Sequence, residues 1–138
     1  MKKQLIICIV DDDEIYQFVA RKTIEQINCV KKILMHSDGE QAINFLIDNI
    51  ANSVELPDVI FLDINMPIMD GWGFLAEYVK LKPHIGKKIT IYMVTSSVDP
   101  ADIKRAKQIS EVSDYIVKPI TYDKIKSVVD AMEHESDL

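Results

Sequence analysis

Leu5-Ile6-Ile7-Cys8-Ile9-Val10-Asp11-Asp12-Asp13 joins an unbroken apolar run to three consecutive acids. Six apolar residues in a row, four of them β-branched, read as a strand buried on both faces, and such strands belong to parallel sheets covered by helices. The acids then fall where the strand ends and its loop begins. Carboxylates packed a few ångströms apart raise one another's pKa, so a folded chain keeps such a cluster where it is solvated, protonated or neutralised by a cation. A second acid, Asp63, follows a second apolar run, Val59-Ile60-Phe61-Leu62, and the two sites invite one explanation.

Working outward, apolar runs alternate with amphipathic segments five times, the pattern of strand and helix units feeding a parallel sheet. Strands are expected over 4–10, 30–35, 59–62, 89–94 and 115–117, the middle three as nearly continuous apolar runs covered on both faces. The first helix has Ile15, Phe18, Val19, Ile24 and Ile27 as its buried stripe. Asp38 caps the second with Gln41 three positions on, and Ala42, Ile43, Leu46 and Ile50 face inward. The third carries Trp72, Leu75 and Val79 on one side and stops before Pro83. Asp99-Pro100 opens the fourth as cap and first helical residue, with Ile103 and Ala106 turned to the sheet. Thr121 opens the fifth, whose inner face is Ile125, Val128, Val129 and Met132, and a polar tail follows Glu133. The stretch 49–57 extends the second helix or forms a loop.

The fold class is therefore α/β: a doubly wound, five-stranded parallel sheet flanked by five helices. With strand order 2-1-3-4-5, the ligand crevice lies at the carboxyl ends of strands one and three, where the winding reverses. Those are the strands that end in Asp11-Asp12-Asp13 and in Asp63. The same edge receives Thr95 from strand four and Lys118 from strand five, so residues distant in sequence form one pocket of carboxylates, a hydroxyl and an amine.

At 138 residues and 15.8 kDa, the chain suits a single domain with a core over about 4–133 and no output domain. A net charge of −6 without any basic stripe argues against nucleic acid as a partner. Met1-Lys2-Lys3-Gln4 and the run after it resemble the start of a signal peptide, but the aspartates interrupt where a small-residue cleavage site is needed. No stretch has the length of a membrane span, so a cytoplasmic protein without membrane contact is expected. Cys8 and Cys29 lack metal-ligand spacing and read as reduced core thiols. His36, His84 and His134 are scattered with no partner acid in register and read as surface or strand-end residues.

Hard oxygen ligands without His or Cys favour Mg²⁺ or Mn²⁺ over zinc. A cation there neutralises the crowded acids and leaves one carboxylate free to attack phosphorus, the aspartyl-phosphate form of nucleophilic catalysis.

Four segments carry a resemblance: Ile9-Val10-Asp11-Asp12; Leu62-Asp63-Ile64-Asn65-Met66-Pro67 with Asp70-Gly71; Val94-Thr95-Ser96; and Tyr115-Ile116-Val117-Lys118-Pro119. In this order, each at the end of an expected strand, they resemble the receiver domain of bacterial two-component response regulators, of the stand-alone chemotaxis-Y-like type. The resemblance implies that Asp63 accepts a phosphoryl group from a phosphohistidine on a sensor histidine kinase or histidine phosphotransfer protein. It implies that Asp12 and Asp63 bind Mg²⁺, with Asp11 assisting through water and the backbone carbonyl of Asn65 completing the protein's share of the shell. Lys118 would pair with Asp63 and then with a phosphoryl oxygen, and Thr95 would donate its hydroxyl to another. Pro119 would follow a cis peptide bond, aiming Lys118 into the pocket. The small Ser96 would leave room for the donor or for hydrolytic water, while Ser97 and Asn65 occupy positions that tune hydrolysis.

The switch implied is movement of Thr95 toward the phosphoryl group, with the ring of Tyr115 turning into the space vacated. The surface of helix four, strand five and helix five then changes for a downstream protein or for a second copy of the chain. The chain would be a signalling protein rather than an enzyme. Two rivals stand beside it. An Mg²⁺-dependent aspartyl-phosphate hydrolase would use the same carboxylates but needs a second aspartate two positions after the nucleophile, where Asn65 stands. A receiver-like interaction module independent of phosphorylation is weakened because none of the key positions is lost.

Overall fold

The structure is a computed structural model that describes residues 4–136, with side chains described to Met132. Five strands, β1 (Leu5–Val10), β2 (Val30–His36), β3 (Val59–Leu62), β4 (Thr90–Thr95) and β5 (Val112–Val117), form one parallel sheet in the order β2-β1-β3-β4-β5. Five helices, α1 (Glu14–Ile24), α2 (Gly39–Asp48), α3 (Gly71–Leu81), α4 (Pro100–Lys107) and α5 (Tyr122–Ser136), cover its two faces, as the alternating pattern predicts. The stretch 49–57 is a loop holding one 3₁₀ turn, Ser53–Glu55, and α3 runs into a second, Lys82–His84, that contains Pro83.

Parallel winding splits the core into two apolar layers. Alternate residues of β1 and β3 face opposite ways, so Ile6, Cys8, Val10, Ile60 and Leu62 meet Leu46, Phe74 and Leu75 on the α2/α3 side. Leu5, Ile7, Ile9, Val59 and Phe61 meet Ile24, Ile125, Val129 and Met132 on the α1/α5 side. Each buried Leu, Ile or Phe contributes about 1.5–3 kcal/mol relative to exposure, so the two layers fix the strand ends against which the site is built.

Helix starts follow the chemistry of their caps. Asp38 accepts Gln41 N–H at 2.9 Å and Gln41 Oε1 accepts Ser37 N–H at 2.8 Å, so side chain and backbone satisfy each other across the first turn of α2. Asp99 accepts Ala101 N–H with Pro100 leading α4. Asp70 accepts Gly73 N–H at the start of α3. Asp13, the third acid of the opening cluster, caps α1 by accepting Ile15 and Tyr16 N–H groups at 2.9 and 3.1 Å.

Several expectations need correction. Ile15, Phe18 and Val19 are 77, 62 and 55% exposed, and α1 instead packs through Ala20, Ile24 and the following Ile27. With about 3.6 residues per turn, Ile15, Phe18 and Val19 share the face opposite Ala20, Ile24 and Ile27, and the sheet takes the latter face. Val79 is likewise exposed, and the inner face of α3 is Phe74, Leu75 and Tyr78. The strands covered throughout are β1 and β3, with β4 nearly so; β2 is an edge strand with Lys31 and Lys32 in solvent. β5 begins at Val112, three residues before the expected start, because Val112 and Asp114 pair with β4 across a register shift at Ser113, while the Ser113 and Asp114 side chains face solvent. The inner face expected for α5 is buried as read. The polar tail after Glu133 lies outside the described side chains.

Candidate functional site

Backbone hydrogen bonds just beyond the strands align the loops that carry the polar residues. Asp11 N–H donates to His36 O at 3.0 Å, Asp63 N–H to Val10 O at 2.9 Å, and Lys118 N–H to Thr95 O at 2.9 Å. These bonds join the ends of β2, β1 and β3 and of β4 and β5, the β3–β4 ladder joins the two groups, and Asp11, Asp63, Thr95 and Lys118 reach a common pocket.

Asp11 forms one wall. Its carboxylate is almost wholly buried; Oδ1 accepts Asp13 N–H at 2.9 Å, and Oδ2 lies 2.7 Å from Lys118 Nζ. Asp63 forms the floor, with 9% of its side chain open to solvent. Its Oδ1 accepts Ile64 N–H at 2.8 Å and its Oδ2 lies 3.6 Å from Lys118 Nζ. Asp12 stands exposed at the rim, and one oxygen from each of Asp11, Asp12 and Asp63 lies within 4.8 Å of the others. Among the described residues this is the one group of three acids, histidines or cysteines so disposed.

Burial and proximity act together on these acids. Desolvation pushes the Asp11 carboxyl above its ordinary range, against the lowering pull of Lys118. Asp63 is raised by burial and then by the charge of Asp11, with Lys118, Ile64 N–H and the Thr95 hydroxyl opposing. Burial alone would lower the Lys118 ammonium, but its bond to Asp11 and the charges of Asp11, Asp63 and Asp13 leave it above the ordinary lysine value. Three carboxylates face one ammonium. The all-oxygen donor set, its excess negative charge and a buried Asp11 Oδ2 with no hydrogen-bond donor beyond the Lys118 ion pair fit a hard divalent cation.

Lys118 pairs with Asp63, as the resemblance implies, and lies closer still to Asp11. Asp11 is the more deeply buried charge and gains more from a partner. The Lys118–Pro119 peptide bond is cis, as the resemblance implies. Thr95 is fully buried and its Oγ1 accepts Ser97 N–H at 3.3 Å. Ser96 and Asn65 are exposed at the pocket's edge. Half-buried Tyr115 donates its hydroxyl to Ser97 O at 2.9 Å, and Ser97 Oγ donates to Asp102 in the first turn of α4 at 2.8 Å. Ser97 thus joins Thr95, Tyr115 and α4, a role its sequence position alone does not reveal.

The loop after Asp63 is packed without slack. A Cβ on Gly71 would stand 2.4 Å from Asp63 O and 3.0 Å from Ile64 Cα, so only glycine lets α3 begin there, and Gly71 N–H donates to Ile64 O at 2.8 Å. Trp72, next in the chain, lies under the Arg105 guanidinium of α4 at 4.3 Å from its ring centroid, which links the α3 start to α4.

Comparison with known proteins agrees with this geometry. The family model described as "Response regulator receiver domain" matches residues 7–130. The chain is 30% identical over 131 residues to the "Probable chemotaxis protein CheY" of Rhizobium etli, covering 94% of this chain and 93% of that protein. It is also 29% identical over 124 residues to the "Sensor histidine kinase CheAY" of Helicobacter pylori, covering 90% of this chain and 14% of that protein. A two-component response regulator from Cytophaga hutchinsonii superposes with a TM-score of 0.78 at 28% identity, covering 94% of this chain and 97% of the other. The phosphorylated cyanobacterial phytochrome response regulator RcpA superposes with a TM-score of 0.75 at 25% identity, covering 94 and 91%.

Proposed function

The chain belongs to the response regulator receiver domain family, and from that membership we propose that it is the phosphoacceptor switch of a two-component phosphorelay. Asp63 takes the phosphoryl group from a phosphohistidine of a sensor kinase or phosphotransfer protein. One observation carries this reading: three carboxylates converge within 4.8 Å while a single lysine faces two of them.

In the transfer, a carboxylate oxygen of Asp63 forms a bond to phosphorus as the P–N bond of the phosphohistidine breaks, and the electron pair of that bond stays with the imidazole nitrogen. Ile64 N–H holds Oδ1 and leaves Oδ2 to attack. Asp12, Asp63 and the Asn65 carbonyl, with Asp11 assisting, would hold Mg²⁺ or Mn²⁺, which supplies positive charge beside the incoming phosphoryl oxygens. Lys118 turns from Asp11 to a phosphoryl oxygen, a short reach for a side chain already between the two acids. The Thr95 hydroxyl donates to another oxygen.

That donation loads the network around Ser97, whose carbonyl holds Tyr115 and whose hydroxyl holds Asp102. Reversing a 1:99 equilibrium takes about 5.5 kcal/mol of differential stabilisation, within reach of a few charge-assisted hydrogen bonds formed only after phosphorylation. The surface of α4, β5 and α5 then changes for a downstream protein or a second copy. Among the described residues no helix is long and apolar enough to cross a membrane, and we place the protein in the cytoplasm as a signalling protein that promotes only its own phosphorylation and dephosphorylation. Asn65, two residues after Asp63, leaves the hydrolase alternative without its general acid.

Acetyl phosphate with Mg²⁺ tests the assignment. Intact mass should show one phosphoryl adduct on the protein and none on Asp63→Asn; an unmodified protein, or an adduct that survives the substitution, overturns it. Many turnovers of phosphate release from a small ester would favour the hydrolase instead.

A further inference from the structure

Lys118 has a neighbour outside the four sequence segments that carry the resemblance. Its Nζ lies 4.4 Å from the centroid of the Tyr16 ring, so the ammonium is enclosed by that ring, by Asp11 at 2.7 Å and by Asp63 at 3.6 Å. Tyr16 sits in the first turn of α1, where Asp13 accepts its backbone N–H, and its ring packs on the α1/α5 apolar layer. The next residue, Gln17, donates its side-chain amide to the Asp11 carbonyl. The ring is thus placed by the same acidic loop that forms the pocket wall.

We propose that Tyr16 is a positioning residue for Lys118, its ring face holding the ammonium over the pocket while the carboxylates change partners. The proposal rests on the phosphoacceptor reading. During phosphorylation both anionic partners of Lys118 are altered, since Asp11 serves the cation site and an Asp63 oxygen becomes part of an acyl phosphate. An aromatic face attracts the ammonium through its quadrupole and itself neither ligates a metal nor accepts the phosphoryl group. It is the one side of the enclosure that stays the same throughout. A four-carbon lysine stem without it would spread over several rotamers and meet the phosphoryl oxygen less often. Burial and the charges of Asp11 and Asp63 push the Tyr16 phenol well above its ordinary value, so the ring remains neutral.

The rate of adduct formation from acetyl phosphate at fixed Mg²⁺ tests this. Tyr16→Phe keeps the ring and should stay within about twofold, while Tyr16→Leu should fall roughly tenfold. Placed on Lys118→Met, Tyr16→Leu should have no further effect, because the ring acts through the lysine. Fluorinated phenylalanines at position 16 keep the shape while weakening the ring face, and the rate should drop stepwise with fluorine number. The ring-current shift of the Lys118 ε-methylene protons, read by NMR without phosphodonor, should vanish in Tyr16→Leu.

An unchanged Tyr16→Leu rate, an equal loss on Lys118→Met, a flat fluorine series, or a Tyr16→Phe loss as large as that of Tyr16→Leu would overturn the positioning role. Absence of an adduct on the unsubstituted protein sinks the phosphoacceptor reading and this proposal together; a normal adduct with an indifferent position 16 sinks only the latter.

Discussion

Two lysine–aspartate pairs stand at opposite ends of the sheet with matching burial and different chemistry. At the carboxyl edge Lys118 lies 2.7 Å from Asp11, and at the amino edge Lys87 lies 3.3 Å from Asp58; in both, the lysine side chain is 18% exposed and the aspartate 2%. Depth therefore does not distinguish a site from a structural brace. Charge balance does. Asp58 pairs with Lys87 and accepts Ile6 N–H from β1 at 2.8 Å, while Lys87 also donates to the Leu56 carbonyl. Lys118 pairs with two of three clustered carboxylates and cannot neutralise the set, so the upper edge retains an excess of negative charge for a cation to meet.

The comparison is broken most directly at its lower end. Asp58→Ala removes the acceptor of a buried backbone N–H and leaves the Lys87 ammonium without its carboxylate, in an element that ties β3 to β1. Losing one partner of a buried pair should cost about 3 kcal/mol. Chemical denaturation should show the midpoint fall with little change in slope, and phosphorylation of the protein that remains folded should be unaffected. A loss below about 1 kcal/mol would mean that Asp58 is no brace.

The upper end should respond with the opposite sign. Asp63→Asn keeps an acceptor for Ile64 N–H and leaves Lys118 its nearer partner Asp11, but removes one of the crowded charges. Without divalent cations at pH 7, the variant should be more stable than the parent by about 1 kcal/mol. Asp63 has its folded carboxyl raised, so the folded state holds the proton longer than the unfolded chain does. The parent's advantage from that proton is complete below the unfolded value near 4 and is lost as pH climbs through the raised folded value. The parent-minus-variant difference in unfolding free energy should therefore shrink toward acid. Millimolar Mg²⁺ should reverse the order at pH 7, because it stabilises only the chain with the full carboxylate set. Equal stabilities at every pH would remove the electrostatic excess from the account.

How much of this contrast the chain displays in advance differs from end to end. β1 and β3 are legible because unbroken branched runs suit no other structure, and the acids after them mark the pocket without coordinates. The α5 face and the caps Asp38 and Asp99 are legible because their signals are local. The outward turn of Ile15, Phe18 and Val19 is not, since α1 offers a second apolar face at Ala20, Ile24 and Ile27, and helical spacing does not say which of the two the sheet takes. Asp58 reads as a loop residue because its partners Ile6 and Lys87 are 52 and 29 positions away. Tyr16, Ser97 and the preference of Lys118 for Asp11 depend on distances across the fold that no residue pattern encodes.

The smallest expected effect concerns strain, which also separates the two edges. Among the described residues Ile68 is the one non-glycine with a positive φ, at 69°, and it lies five residues after Asp63 in the loop that closes the upper edge. A β-branched residue pays about 1–2 kcal/mol in that conformation, and Ile68 is 78% exposed, so packing repays little of it. Ile68→Gly should therefore gain about 0.5–1 kcal/mol in thermal unfolding once the extra freedom of glycine in the unfolded chain is subtracted. Exposed in the loop after Asp63, the Ile68 side chain is open to contact with an approaching protein donor. The same substitution should then leave the acetyl phosphate rate unchanged and slow transfer from a phosphohistidine protein donor. A stabilised variant that accepts phosphate from both donors at the parent rate would reduce Ile68 to a local imperfection of the loop.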